Sequence, residues 1–116
     1  MEKKREIAVL EIRNEITALN ITSFTFYEDP GHGWLEVPAK LLSLLQIESE
    51  ITSYSYISRN GLYAYLEEDC DVSTFCHAYK NVMGLSAEEY LPIKHRAYQL
   101  DCFIRSLPHY EVNRAS

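Results

Sequence analysis

The sequence predicts a single α+β domain: an antiparallel sheet of four to five strands, an N-terminal helix and two further helices. Three observations carry this. A chain of 116 residues is the length of one domain and too short for two. Hydrophobic residues at 47% and charged residues at 24% are ordinary globular values, which excludes disordered, collagen-like and low-complexity classes. Along the chain, helix-period apolar stripes alternate with short β-branched and aromatic runs bounded by turn residues. Residues 1–20 are expected as the N-terminal helix and 21–110 as the remaining core, with no repeat, linker or boundary between domains.

Residues 6–19 lack Gly and Pro, and Val9, Ile12, Ile16 and Leu19 recur at spacings of three and four, the stripe of an amphipathic helix. From Ile21 to Tyr27 the β-branched and aromatic content suits a pleated surface. Asp29-Pro30-Gly31-His32-Gly33 then breaks the chain, and Trp34 to Val37 resumes as a strand, a hairpin with His32 at its tip. Pro38 stands where a helix can start, since its missing N–H is harmless in the first turn. Leu41, Leu42, Leu44, Leu45 and Ile47 follow, apolar on most sides, and predict a short buried helix.

Residues 51–58 and 62–67 predict a second hairpin, because Asn60-Gly61 is the favoured pair for a type I′ turn. That register pairs Tyr56 with Tyr65 and Ile57 with Ala64. One face then carries Ile57, Leu62, Ala64 and Leu66 toward the core; the other carries Tyr54, Tyr56, Ser58, Tyr63, Tyr65 and Glu67. After the acidic run Glu67 to Asp71, the residues Val72, Phe75, Cys76, Tyr79, Val82 and Met83 lie at helical spacing, with Gly84 as a stop. Segment 90–98 reads as a strand, although Ile93, Ala97, Leu100 and Ile104 would also align on a helix. A short turn of helix opened by Asp101 and closed before Pro108 follows.

Charge narrows the function. The net charge is −6, and all of it lies in the middle of the chain, where residues 21–79 hold nine acids against Lys40 and Arg59 alone. Nucleic-acid binders need Lys and Arg to neutralise phosphates, so direct nucleic-acid binding is not expected. A partner with a basic surface fits, as does a solvated acidic face. The start, Met1 to Arg5, has the basic character of a signal-peptide leader, but Glu11, Arg13 and Glu15 interrupt the apolar stretch such a leader needs. The longest uncharged run, Ile16 to Tyr27, is too short and too polar to span a bilayer. Three cysteines without a C-x-x-C pair point to reduced thiols and a cytoplasmic setting.

Catalytic motifs are few. Gly31-His32-Gly33 lacks the third glycine of a dinucleotide loop, and there is no Walker lysine, G-x-S-x-G or H-E-x-x-H. Cys70, Cys76 and Cys102 would be nucleophiles only beside His77, His95 or His109. Asp29, His32 and Glu36 could share a metal with Glu67, Glu68, Asp69 and Asp71 if the two loops meet, but turn and capping chemistry explains the same residues. No cofactor, metal or catalytic residue is expected. The tyrosine face is the more informative feature: it either packs under the N-terminal or the second long helix, or presents a recognition surface.

Several segments also form a pattern: FYEDPGHGWLEVP at 26–38, Tyr54-Ser55-Tyr56, YLEEDCD at 65–71 and FIRSLPHY at 103–110. Together they resemble an uncharacterised family of small proteins carried by phages, plasmids and other bacterial mobile elements. The resemblance covers about residues 22–110. It brings no assigned activity, but cargo of this size on mobile elements often includes inhibitors of host defence, anti-CRISPR and anti-restriction proteins among them. The order strand, Val-Pro, leucine-rich helix, strand is similar to swapped-hairpin antitoxin and transition-state regulators, whose DNA-binding basic residues are missing here.

The expected function is therefore a non-enzymatic inhibitor that occupies a basic surface on a host defence complex, a CRISPR effector being one candidate. Its expected partner-binding residues are Asp29, His32, Trp34, Tyr54, Tyr56, Tyr63, Tyr65, Glu67, Glu68, Asp69 and Asp71. Two alternatives stand beside it: a small metal-dependent hydrolase built on Asp29, His32 and the 67–71 loop, and a homo-oligomeric accessory protein. The chain is expected as a monomer or homodimer.

Overall fold

The computed structural model describes residues 2–86, 89, 91–100 and 102–111, with side chains from residue 8 onward. In chain order the elements are α1 (Glu2–Ala18), β1 (Phe24–Glu28), β2 (Gly33–Pro38), α2 (Ala39–Leu44), a 3-10 turn (Glu48–Glu50), β3 (Tyr56–Ile57), β4 (Tyr63–Glu67), α3 (Asp71–Met83), β5 (Ile93–Tyr98) and a second 3-10 turn (Phe103–Ser106). The predicted α+β class and all three helices are present. Tyr90 and Asp101, which bound the expected last strand and last helical turn, lie outside the described residues.

The five strands form one sheet in the order β3-β4-β2-β1-β5. Both hairpins are antiparallel; the first places Tyr27 opposite Trp34, and the second takes the expected register, with Tyr56 opposite Tyr65. β2 and β4 join them, so that Trp34 faces Glu67 and Glu36 faces Tyr65. β5 departs from the antiparallel expectation: it runs parallel to β1, Tyr27 opposite Ala97. α3 is the reason. A helix between β4 and β5 carries the chain back along the sheet, and such a crossover delivers the next strand parallel.

The β3-β4 turn differs in detail from a type I′ turn, which needs positive φ at both central residues. Only Gly61 takes it, at φ 76°, and the turn closes through the Gly61 amide on the Ser58 carbonyl at 2.9 Å. Leu62, expected to face the core, is 61% exposed as part of this turn. The predicted strand 51–58 shrinks to two residues, because Thr52 and Ser55 spend their polar groups on a side chain of α3 rather than on a ladder.

One face of the sheet makes the main core. Phe24, Phe26, Leu35, Val37, Ile57, Ala64 and Leu66 are buried there against Ile16 of α1, Leu41 and Leu42 of α2, and Phe75 and Tyr79 of α3. The Phe24 ring meets Phe75 and Tyr79 edge-on at 5.7 and 5.8 Å. Gly84 ends α3 at φ 74°, as the stop signal predicts. The other face carries Trp34 and Tyr65, and no helix among the described residues covers it. Instead the C-terminal segment does, through Cys102, Ile104 and Leu107. Helical cover of the tyrosine face is thus replaced by an irregular strap, since all three helices are already committed to the main core.

Phe75 is fully buried among the sheet-facing rings, so Phe75→Ala should cost about 3–5 kcal/mol, read from denaturant unfolding, with little change in the slope of the transition.

Candidate functional site

The strap and the two hairpins meet at one end of the polar-facing side of the sheet. Asp29 sits in the β1-β2 turn, where its Oδ1 accepts the amides of Gly31 and His32 at 3.0 and 2.9 Å, an Asx-type closure that explains its position before Pro-Gly. The same carboxylate receives Arg105 of the strap, Nε at 2.5 Å and Nη2 at 3.1 Å. That bidentate pair holds the Asp29 carboxyl well below the usual carboxylate range despite its burial, with the two turn amides adding to the effect. The guanidinium lies over the Trp34 ring at 5.4 Å.

Farther along, the strap pairs with β3. The Ile57 amide donates to the Pro108 carbonyl at 2.9 Å and the Tyr110 amide to the Ser55 carbonyl at 2.8 Å. His109 Nδ1 lies 2.7 Å from the Ser53 carbonyl, and its ring stacks on Tyr56 at 4.6 Å. Phe103 packs edge-on against Tyr27 and Tyr65. The Ser106 carbonyl accepts the Arg59 guanidinium at 2.8 Å, and the Tyr110 side chain is buried in the main core.

The acidic turn is fixed just as specifically. Glu67 is 7% exposed; its Oε2 accepts the amides of Asp69 and Cys70, both at 2.9 Å. Asp71 is 1% exposed and accepts from the Thr52 amide and hydroxyl and, at 2.5 Å, from the Ser55 hydroxyl. Ser55 in turn accepts the Glu67 amide at 2.9 Å. The two motif loops do meet. The Glu68 amide donates to the Gly33 carbonyl at 3.0 Å, and His32 Nδ1 comes within 3.9 Å of Glu67 Oε1. Gly33 is required for this approach, since a Cβ there would fall 2.5 Å from the Phe26 ring and 2.8 Å from Glu68 Oε2.

Between these parts lies an open cleft of about 400 Å³. Its aromatic walls are His32, Trp34, Tyr54, Tyr56 and His109, and its polar edge is Glu67, Asp69, Cys70 and Arg105. Of the sequence-predicted residues, His32, Trp34, Tyr54, Tyr56, Glu67 and Asp69 come together here. Asp29 stands behind Arg105, and Glu68 borders the cleft from the exposed turn. Asp71 and Tyr65 are buried and serve the interior; Tyr63 is exposed on β4 away from the cleft lining. Burial, then the adjacent Glu36 carboxylate, pushes the Tyr65 hydroxyl well above its usual range. Arg105 and His109 were missed as site residues, although both belong to the quoted FIRSLPHY segment.

The electrostatics are those of a crowded acidic rim. Partial burial, then Asp69 and Glu67, pushes the Glu68 carboxyl up. Desolvation and the same carboxylates push the Cys70 thiol up, the opposite of what activates a nucleophilic cysteine. Cys70, Cys76 and Cys102 are free thiols. No group of three His, Cys, Asp or Glu among the described residues is placed to hold a metal ion. The Trp34 Nε1 is buried without an acceptor among the described residues, a rare situation costing about 1–3 kcal/mol.

Fold and site together define a small α+β protein with an open, aromatic, acid-edged cleft bordered by its own strap. No protein-family model, curated protein or solved structure matches the chain significantly. No helix among the described residues is long and apolar enough to cross a membrane.

The Asp29–Arg105 pair gives a pH signature. Because the folded carboxyl titrates below its ordinary value of 3.8, its contribution is full above that value and is lost as pH falls toward the folded value. Asp29→Asn should therefore be less stable than the parent by a constant margin above about pH 5, narrowing below about pH 4, read from urea midpoints across pH 3 to 7.

Proposed function

We propose that this chain is a non-enzymatic binding protein that uses the cleft and its acidic rim to engage a basic surface on a protein partner. The observation that carries this is the convergence of the separate motif segments, 26–38, 54–56, 65–71 and 103–110, on one concave surface. Aromatic walls with a carboxylate edge suit recognition, and tyrosine and tryptophan are the residues that anchor interfaces. The raised Cys70 thiol supports binding over thiol catalysis. On the motif resemblance, the partner is a nucleic-acid-handling host defence complex, a CRISPR effector among the candidates, and binding inhibits it by covering the basic surface it uses for nucleic acid.

Affinity capture of the tagged protein from host lysate at low and high salt tests this. A stoichiometric partner is expected that dissociates as salt rises and is lost on the double reversal Glu68→Lys, Asp69→Lys. Both side chains are exposed, so the reversal spares the fold. A partner retained by the reversed variant would sink the electrostatic part of the reading.

Self-association is a second reading with its own observation. β5 is an edge of the sheet, and beside it Tyr98 is 62% and Leu100 80% exposed, the combination of open strand edge and apolar side chains that invites pairing. Light scattering at two concentrations should then show a mass that falls on dilution, and Leu100→Lys should give the monomer at both.

A further inference from the structure

The cleft also specifies which group on a basic partner it takes, an inference that rests on the partner reading above. Glu67 is nine-tenths buried; its Oε2 is used by the Asp69 and Cys70 amides, while its Oε1 lies 3.9 Å from the His32 imidazole, beyond hydrogen-bond reach. The one fixed positive charge in the cleft lining, Arg105, already has its fork filled by Asp29. Glu67 and Asp69 therefore leave the cleft net negative, in one lining with Tyr54.

Carboxylates and π-faces both select a cation. Between the two biological cations, a guanidinium is planar and weakly hydrated, so it can stack on a ring while its N–H groups fork onto a carboxylate, whereas an ammonium is a compact, strongly hydrated point charge. The protein uses the guanidinium arrangement twice in its own structure. Arg96 lies over the Phe26 ring at 5.1 Å while bonded to Glu28 at 2.8 Å, and Arg105 lies over Trp34 while bonded to Asp29. Glu67 and Asp69 share the cleft lining with the exposed Tyr54 ring, the same pairing of carboxylate and ring.

We propose that the cleft is a receptor for a single arginine side chain of the partner, its guanidinium held against the exposed Tyr54 ring and bonded to the Glu67 and Asp69 carboxylates. A volume of about 400 Å³ lies within the range of small-ligand pockets. Recognition of this kind would select an exposed arginine on the partner over a lysine, whatever the surrounding basic surface.

Trp34 is the sole tryptophan and lies in the cleft wall, so its fluorescence reports occupancy. Acetyl-Gly-Arg-Gly-amide titrated into the protein should give a saturable change with a Kd of about 1–10 mM. The citrulline peptide, of the same shape without the charge, and the lysine peptide should each bind at least tenfold more weakly. Asp69→Asn and Tyr54→Ala, both at exposed positions, should weaken the arginine peptide several-fold with an unchanged circular dichroism spectrum. Citrulline or lysine binding as tightly as arginine would overturn the proposal, as would no saturable change up to about 50 mM. A partner captured and lost on charge reversal, with the arginine peptide failing, removes the arginine assignment and leaves the partner reading. The peptide binding with no partner captured does the reverse.

Discussion

The Ser55 hydroxyl is the point from which the rest of this site is built. It is fully buried, donates to Asp71 at the start of α3 and accepts the amide of Glu67 at the end of β4, while the Ser55 carbonyl takes the Tyr110 amide of the strap. The junction of β4 with α3 and the distant strap are thereby fixed to one residue. A buried carboxylate such as Asp71 is tolerable only when its lone pairs are used, and Thr52 and Ser55 use them. The consequence is local: Tyr54 and Tyr56, either side of Ser55, are held where they wall the cleft, with little help from a β3 that is only two residues long.

The second constraint is electrostatic. Four acids in five residues, Glu67 to Asp71, would repel one another if all faced solvent, and the fold divides them instead. Asp71 is turned inward to hydroxyls, Glu67 folds back onto the amides of its own turn, and Glu68 and Asp69 remain outside. Structure thus accounts for half of the cluster and leaves the other half as an exposed rim. Arg105 is similarly divided. Its charge is used on Asp29, and its planar face on Trp34, so it anchors the strap without making the cleft basic.

Much of the fold was legible in the chain because it rests on local rules. The apolar stripe of α3 and the glycine that ends it, the proline before α2, and the Asp-Pro-Gly turn each depend on residues within a few positions of one another. The register of the second hairpin followed from placing Asn60-Gly61 in the loop, and it set Tyr56 opposite Tyr65 as found. The turn itself misled slightly: Asn60-Gly61 suggested a two-residue loop, but Ser58 and Asn60 bond within the turn, and Leu62 is drawn outward with it. Of the site, the aromatic and acidic residues were visible as types, yet nothing local separated Tyr65, buried under Phe103, from Tyr54, which faces solvent.

The sequence by itself determined the element types, the register of the second hairpin, the acidic middle of the chain and the segments that line the cleft, because propensity, period and charge act over short distances. Tertiary structure alone decided that β5 enters parallel beside β1, that the strap rather than a helix covers the second sheet face, and that His32, Tyr56, Glu67 and Arg105 share one cleft. Those are long-range matters. Arg105 finds Asp29 across 76 positions, and the direction of β5 follows from where a helical crossover lands, for which no local pattern of side chains exists.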